Sequence, residues 1–565
     1  MNNHRDIRRR VARLQDALNR DGYRAGRIVI RNGRIGIQAE HRMAANYDTG
    51  ARKRIYYLEG TPYQMGYMLG LLAEPETAAM AIHFTEDIVF EFFGGEGVQQ
   101  STVLKKALVL LIYRLSRKAY GELPGEIRCE IQGLLKGCRE SNPNTKVRLK
   151  HLIVLNIGID VLCSLAYTGR VPFKNAIIKH MKIPVSCNAF SVLGKAAGGG
   201  HYFGRDFMFP TAGVFQDAAC HIIYHPHTGK TRSHPFVAVT APGLVGSVAA
   251  MNLKGVAAGV DMSPSGNCDP DRVGVNSLLL TRLSIQYGGS AEEAARYIVH
   301  ANRGVSWNYV VSDGSTDRAC CVEAGASSNA RDFHLYPPDA YKRFLPDKAF
   351  IAAHRSAPFQ NGAMVRWNDY KYPAAYLAYN DGLWNKYRKS MEDSIIRYPD
   401  AFSPLGHINR HYRERNCPSV FYFAPMRECS SNLIITTNHF IIPEMRMYAM
   451  HPWTALIAED QADDFQWRYD ELNSQIHQAL KKEGHIGYGT AKRLIDFLAP
   501  YGKHPRYYKR NPRSRDGKQI RINGSTSIFD LKRRRVESHF GYYCDDWVKV
   551  TLPRYFGSNK TLDIP

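Results

Sequence analysis

The chain has 565 residues, of which 44% are hydrophobic and 11% aromatic, and its formal net charge is +23. This composition is sufficient for a packed core and excludes wholesale disorder. Residues 1–54 carry a net charge of +9 and residues 503–535 carry +10, whereas residues 55–502 carry only +5. The basic ends are therefore interpreted as solvated surface, and binding of nucleic acid or an anionic membrane is the alternative.

Targeting signals are not apparent in the chain. The basic N-terminus is not followed by an apolar stretch, so we expect no secretory signal. The apolar segments 107–113 and 152–167 are shorter than the ~20 residues that a membrane-spanning helix needs. Eleven cysteines occur without a CxxC motif or a paired histidine spacing, so neither a disulfide framework nor a zinc site is predicted. We expect a cytoplasmic protein.

The first third of the chain is predicted to be mainly helical. Residues 1–24 show the apolar spacing of a short amphipathic helix. An Asn-Gly pair between two apolar runs predicts a β-hairpin over residues 27–38. A helical region is predicted over residues 62–170, where Gly66 and Gly70 lie one turn apart and favour close packing against another helix.

The pattern changes after residue 184 to short strands, and helices return later in the chain. Residues 335–430 are rich in Tyr, Pro and Asn and are interpreted as an irregular insertion. Strands are predicted within 185–262 and at 307–311, 319–322 and 433–442, and helices near 275–287, 290–301, 463–483 and 488–498. Groups of strands and groups of helices, with few βαβ units, indicate an α+β fold.

The most informative segment is a predicted hairpin that begins at Cys187. If residues 194–200 form its loop, Cys187 faces Phe207, and Arg205 faces Ala189 on the same side of the sheet. A guanidinium group near a cysteine lowers the pKa of the thiol and increases the fraction of reactive thiolate. Taken alone, a cysteine in a strand is more often a small buried hydrophobic residue.

Four segments together resemble the N-terminal nucleophile (Ntn) hydrolases, and most closely the isopenicillin N acyltransferase and carcinine hydrolase family. They span residues 60–70, 187–206, 308–323 and 437–440. In these enzymes the precursor cleaves itself before a Cys, Ser or Thr, and the released α-amino group acts as the base for that side chain. The resemblance implies a four-layer αββα sandwich with an N-terminal helical segment.

The resemblance implies a role for each matching residue. Cys187 is the implied nucleophile, with its α-amine released by cleavage after Ser186. Arg205 polarises the thiol and orients the substrate, Asn438 contributes an amide to an oxyanion hole, and Arg468 contacts the substrate. Both residues also have a purely structural interpretation. Arg205 could form an ion pair with a nearby carboxylate, and Asn438 could belong to a turn at the end of a strand.

One position departs from the family pattern. The family commonly has an aspartate three residues beyond the arginine, which holds the α-amine of the nucleophile, and this chain has Met208 at that position. Asp206 is expected to take that role, because it has the same strand parity as Met208.

The domain organisation implied by these matches has four parts. They are a basic N-terminal extension (1–54), a helical pro-segment (55–186), a catalytic core (187–500) and a basic C-terminal segment with terminal strands (501–565).

The predicted function is a self-processing amidohydrolase or acyltransferase. It acts on a linear, non-peptide amide of a small molecule through an acyl-enzyme on Cys187 and passes the acyl group to water or to an acceptor amine. Neither a cofactor nor a metal is expected. The alternative is a catalytically inactive relative that binds nucleic acid or an anionic membrane through its basic ends. Substrate identity, oligomeric state and the choice between hydrolysis and acyl transfer are left open.

Overall fold

The structure is a computed structural model that describes residues 2–46, 49–88, 102–167, 187–209, 214–227, 232–265, 267–329, 348–376, 378–379, 430–445, 459–498, 521–542 and 546–557. Within these residues the strands form two sheets, and helices pack on both. The chain thus combines helices with large, mostly antiparallel sheets, in agreement with the predicted mixed fold. The finer prediction of four αββα layers stays a prediction.

The larger sheet has eleven strands in the described residues, and all neighbours are antiparallel except β3 and β6, which are parallel. In spatial order the strands are β1 (Tyr23–Arg31), β2 (Arg34–Ala45), β3 (Arg52–Gly60), β6 (Cys220–Pro226), β7 (Phe236–Thr240), β8 (Ala249–Asn252), β9 (Val256–Met262), β10 (Trp307–Asp313), β11 (Arg318–Ala324), β13 (Ala363–Trp367) and β12 (Phe359–Gln360).

The smaller sheet has six antiparallel strands in the same described set. In spatial order they are β14 (Leu433–Thr436), β4 (Asn188–Leu193), β5 (His201–Met208), β15 (Arg521–Asp530), β16 (Arg535–Tyr542) and β17 (Val548–Thr551). Strands β4 and β5 contact β9 and β10 of the larger sheet. The two sheets therefore meet where the predicted nucleophile hairpin lies.

The helices cover the faces of both sheets. Those described are α1 (Asn2–Arg20), α2 (Pro62–Leu72), α3 (Glu74–Ala78), α4 (Thr102–Glu122), α5 (Gly125–Ser141), α6 (Leu149–Tyr167), α7 (Phe215–Ala218), α8 (Ser277–Tyr287), α9 (Ala291–His300), α10 (Lys348–Ala353), α11 (Glu459–Glu483) and α12 (Tyr488–Leu498). Helices α8 and α9 pack on the larger sheet, whereas α11 and α12 pack on the smaller one. No helix in the described ranges is long and apolar enough to cross a bilayer.

The smaller sheet separates two hydrophobic clusters because successive side chains of a strand point to opposite faces. On one face, Ala189 and Phe203 belong to the cluster that includes β9 and β10. On the other face, Phe190 and Val192 pack with apolar residues of α11 and α12, among them Leu472. This alternation fixes which side chains of β4 and β5 point toward the larger sheet.

Helices α2 and α5 cross in direct backbone contact, which confirms the predicted close packing at Gly66 and Gly70. A Cβ on Gly66 would overlap the carbonyl oxygen of Glu130, and one on Gly133 would overlap the carbonyl oxygen of Tyr63. Glycines on both helices therefore allow an approach that any larger residue would prevent.

The N-terminal predictions are largely confirmed. Helix α1 buries Leu14 and Leu18 on its apolar face. The predicted hairpin corresponds to β1 and β2, and its Asn32 and Gly33 both have positive φ, as this turn requires. Strand β3 was not predicted, although most of it is buried.

Later segments show further differences. Part of the predicted irregular insertion, residues 359–367, is a hairpin that pairs with β11 and extends the larger sheet. Strand β14 is shorter than predicted, because a turn follows Thr436. The described part of the basic 503–535 segment forms β15 and the turn into β16, inside the smaller sheet.

The predicted domain boundaries stay predictions. In the described residues β1–β3 belong to the same sheet as β6–β13.

Candidate active site

The hairpin of β4 and β5 has the predicted register. Asn188 pairs with Asp206, and Ala189 pairs with Arg205. Cys187 directly precedes β4, so it lies on the same sheet face as Ala189 and Arg205. This face points toward β9 of the larger sheet.

The backbone of Cys187 is held on both sides. Its N–H donates to Oδ1 of Asn438 at 2.9 Å, and its carbonyl oxygen accepts from Nη1 of Arg468 at 2.7 Å. The thiol is fully buried, and its Sγ lies 3.6 Å from the carbonyl oxygen of Met208. Residue 186, the other side of the predicted cleavage position, lies outside the described residues.

Asn438 lies just after β14, in a turn that β10 supports. Nδ2 of Asn308 donates to the carbonyl oxygens of Thr437 and His439, at 3.1 and 2.8 Å. Nδ2 of Asn438 donates to the carbonyl oxygen of Met262 at 2.7 Å, which leaves Oδ1 directed at Cys187. In this orientation Asn438 accepts from the cysteine nitrogen, and its predicted contribution to an oxyanion hole stays a prediction.

Arg468 on α11 connects three parts of the site. Besides the Cys187 carbonyl, its guanidinium donates to Oδ1 of Asn438 at 2.9 Å and to Oδ1 of Asn188. The side chain is fully buried. A planar guanidinium with several fixed donors suits such a junction, and a lysine would not reach all three acceptors.

Arg205 forms a buried ion pair, its structural alternative from the sequence, with a partner that the sequence did not identify. Its Nη1 lies 2.9 Å from Oδ1 of Asp261 in β9, and both side chains are 1% exposed or less. The second carboxylate oxygen of Asp261 accepts from Thr436 Oγ1 at 2.6 Å. A Cβ on Gly259 would approach Arg205 Cδ to 2.9 Å, so this glycine provides the room that the guanidinium occupies.

Asp206 points to the opposite face of the hairpin. Its Oδ2 accepts from Nδ2 of Asn188 at 2.5 Å. The nitrogen of Cys187 is held by Asn438 instead. Asp206 therefore contacts the side chain of Asn188, the residue after Cys187, and not the nitrogen of Cys187 as expected.

Burial dominates the ionisation of this cluster. Burial raises the pKa of the Cys187 thiol, and the positive charge of Arg205 opposes that rise. Burial also raises the pKa of Asp206, to about 7, against the hydrogen bond from Asn188. The pKa of Asp261 is raised by burial and lowered in part by Arg205. The thiol is therefore held in its neutral form near pH 7.

The five site residues predicted from the sequence lie in one cluster, and the sequence missed three partners: Asn188, Asp261 and Thr436. An acidic residue inside the apolar run of β9 was a usable signal for Asp261, because a buried carboxylate requires a partner.

One cluster of metal-ligand atoms lies elsewhere. Ligand atoms of Glu59, His225 and His227 lie within 4.8 Å of one another, because Glu59 and His225 pair across β3 and β6. This cluster was not identified from the sequence, and the expectation that the protein needs no metal stays a prediction. Arg10 and Arg34 both form ion pairs with Glu59, so positive charge already neutralises this carboxylate.

No model of a known protein family matches the chain. A protein of Archaeoglobus fulgidus, described as uncharacterized, is 27% identical over 508 residues, which is 89% of this chain. The chain spans 66% of the length of that relative.

Two solved variants of a conjugated bile acid hydrolase from Clostridium perfringens also match. They have TM-scores of 0.31 and 0.32 and sequence identities of 10% and 11%. Each match covers 66% of this chain and 95% of the hydrolase. TM-scores of this size do not establish a shared fold.

Proposed function

We propose that the protein is an Ntn-type amidohydrolase or acyltransferase whose nucleophile is Cys187, released by self-cleavage after Ser186. The observation that carries this proposal is the convergence on one cysteine backbone of Asn438 and Arg468, from segments 251 and 281 residues further along the chain. A buried structural cysteine has no need of two side chains that bind its backbone nitrogen and oxygen.

Self-cleavage is proposed to begin at the thiol. Sγ of Cys187 adds to the carbonyl carbon of Ser186, the carbon–nitrogen bond breaks, and the thiol proton passes to the departing nitrogen. The resulting thioester is hydrolysed by water, which releases the N-terminal piece and regenerates the thiol. The hydrogen bonds of Asn438 and Arg468 support this step because they hold the cysteine backbone on both sides.

Turnover is proposed to use the same groups. The free α-amine of Cys187 accepts the thiol proton, Sγ attacks the substrate carbonyl, and the amine then protonates the leaving nitrogen. Asn438 Oδ1 already faces the nitrogen that becomes this amine, so its role is to orient the base. Arg205 favours the thiolate, since its charge lowers the thiol pKa against the effect of burial.

The first test is the covalent state of the purified protein. Cleavage before Cys187 predicts fragments of roughly 21 and 43 kDa on a denaturing gel. The larger fragment should begin Cys-Asn-Ala-Phe on Edman sequencing. Cys187→Ala should leave the chain intact, whereas Cys220→Ala, a matched buried cysteine in β6, should not affect cleavage.

The second test is amide hydrolysis. A panel of N-acyl amines is incubated with the protein, and the released amine is measured with fluorescamine. Activity that requires Cys187 but not Cys220 supports the proposal. An intact wild-type chain that is active, or full activity in Cys187→Ala, would contradict it.

A further inference from the structure

A cavity with a volume of about 1030 Å³ opens at the end of β9 that is remote from Cys187. Residues from the turn before β9, from α9 and from the turns after β10 and β15 line it. The Cys187 cluster contacts the other end of β9, where Asn438 binds the carbonyl oxygen of Met262. The six residue steps of β9 separate the two sites by about 20 Å.

Three turns meet at this cavity because two glycines allow them to pack closely. The N–H of Gly314 donates to the carbonyl oxygen of Gly255 at 3.1 Å. A Cβ on Gly255 or Gly314 would approach Leu531 to 2.8 or 2.7 Å. The turn after Leu531, which belongs to the basic segment of the sequence, therefore contributes Arg534 to the same cavity wall as Lys254.

The cavity wall concentrates unpaired positive charge. Arg232, Lys254, Arg296 and Arg534 line it, and Glu293 is the acidic residue among the lining side chains. None of the four basic side chains forms a hydrogen bond or ion pair with another described side chain. By contrast, the neighbouring Lys532 and Arg533 pair with Asp317 and Asp530. Four basic groups around one opening, against the single carboxylate of Glu293, create a positive potential that attracts anions.

Two further observations agree with this charge distribution. His234 also lines the cavity, and its pKa is lowered first by burial and then by the charges of Arg232 and Lys254. The rings of Tyr287 and Tyr297 stack on the same wall, with their centroids 6.0 Å apart. The cavity thus offers an aromatic surface beside the basic groups.

We propose that this cavity binds a small ligand with several phosphate charges, of the nucleoside polyphosphate class. Arginine and lysine are the common partners of phosphate oxygens, and a singly charged anion would leave most of the four basic groups unpaired. The volume is suited to a small molecule, and the tyrosine pair suits a planar base. The proposal does not depend on the reaction at Cys187.

The test is isothermal titration calorimetry of the full-length protein. ATP, inorganic tripolyphosphate and adenosine are titrated separately. ATP and tripolyphosphate should bind, and adenosine should not. Binding should weaken as NaCl rises from about 50 to about 300 mM, because the basic groups are partly exposed. Tighter binding of ATP than of tripolyphosphate would show that the base contributes to binding in addition to the phosphates.

The decisive comparison uses two double variants with equal loss of charge. Lys254→Gln with Arg296→Gln should raise the Kd for ATP about tenfold, which corresponds to ~1.4 kcal/mol. Lys481→Gln with Lys482→Gln, on an exposed helix end, should leave the Kd unchanged. Equal melting temperatures would show that both variants fold.

Three results would overturn the proposal. They are the absence of binding by ATP and tripolyphosphate, equal weakening in both double variants, and equal affinity for adenosine and ATP. If neither small ligand binds, binding of a single-stranded oligonucleotide would instead favour a nucleic-acid partner for the basic ends of the chain.

Discussion

Replacing Asp261 by Asn should destabilise the protein strongly, because the substitution leaves the Arg205 charge buried without a counter-charge. The two groups lie 2.9 Å apart and are almost fully buried. Removing one member of a buried ion pair typically costs about 3–5 kcal/mol. The Asn side chain has nearly the same size and can still accept from Thr436, so the lost charge is the main change.

Asp317→Asn is the matched control. Asp317 also lies 2.9 Å from its partner, Lys532, but both side chains are more than a third exposed. Its Oδ1 lies 3.5 Å from Nδ1 of the buried His201, and an Asn side chain keeps an oxygen for that contact. An exposed pair contributes about 0–1 kcal/mol. The two substitutions therefore differ mainly in burial, and we expect Asp261→Asn to cost about 3 kcal/mol more than Asp317→Asn.

The assay is urea unfolding followed by tryptophan fluorescence. All variants carry Cys187→Ala, so that they share one uncleaved chain. A double variant, Arg205→Met with Asp261→Leu, removes both charges and should be less destabilised than Asp261→Asn alone. If Asp261→Asn and Asp317→Asn cost the same, or if the double variant is the least stable, the unpaired buried charge is not the cause.

Gly66→Ala should lower the free energy of unfolding by about 1–3 kcal/mol, because the new methyl group overlaps the backbone of α5. Gly121→Ala should not lower it, because the space around Gly121 is open. Comparable melting temperatures for the two variants would contradict the close helix contact. Burial raises the pKa of Asp206 from 3.8 to about 7, so the folded state binds this proton more tightly than the unfolded state. The free energy of unfolding should therefore fall by on the order of 4 kcal/mol as pH rises from about 4 to about 7. Between pH 5 and pH 8, the urea midpoint should fall less in Asp206→Asn than in the wild type. Arg468→Lys should slow self-cleavage more than tenfold on a denaturing-gel time course, because one ammonium nitrogen cannot occupy the positions of both Nη1 and Nη2. Arg493→Lys, at an exposed side chain of α12, should cleave at the wild-type rate.

Local patterns in the sequence were sufficient for the central hairpin. A glycine-rich loop between two apolar runs defined both strands and their register, which placed Arg205 opposite Ala189. The long helices α11 and α12 were similarly readable from their apolar spacing. In these elements the interactions that determine structure lie within a few residues of each other.

Long-range pairing was not readable in the same way. Strand β3 pairs in parallel with β6, more than 160 residues away, and no turn between them signals the contact. The partner of Arg205 is Asp261, which lies on the other sheet, so its identity depends on how the sheets face each other. The hairpin at Asn361 did carry an Asn-Gly turn signal, and the surrounding Tyr- and Pro-rich composition obscured it.

The parallel pairing of β3 with β6 has a consequence for the two halves of a cut chain. Everything before residue 187 would remain joined to the rest through a shared row of backbone hydrogen bonds. Asp21, near the start, also binds the N–H of Thr551 and the side chain of Arg554, near the end. A processed molecule should therefore elute as one particle in gel filtration, and its two pieces should separate only in denaturant. The N-terminal part would then act as a permanent subunit.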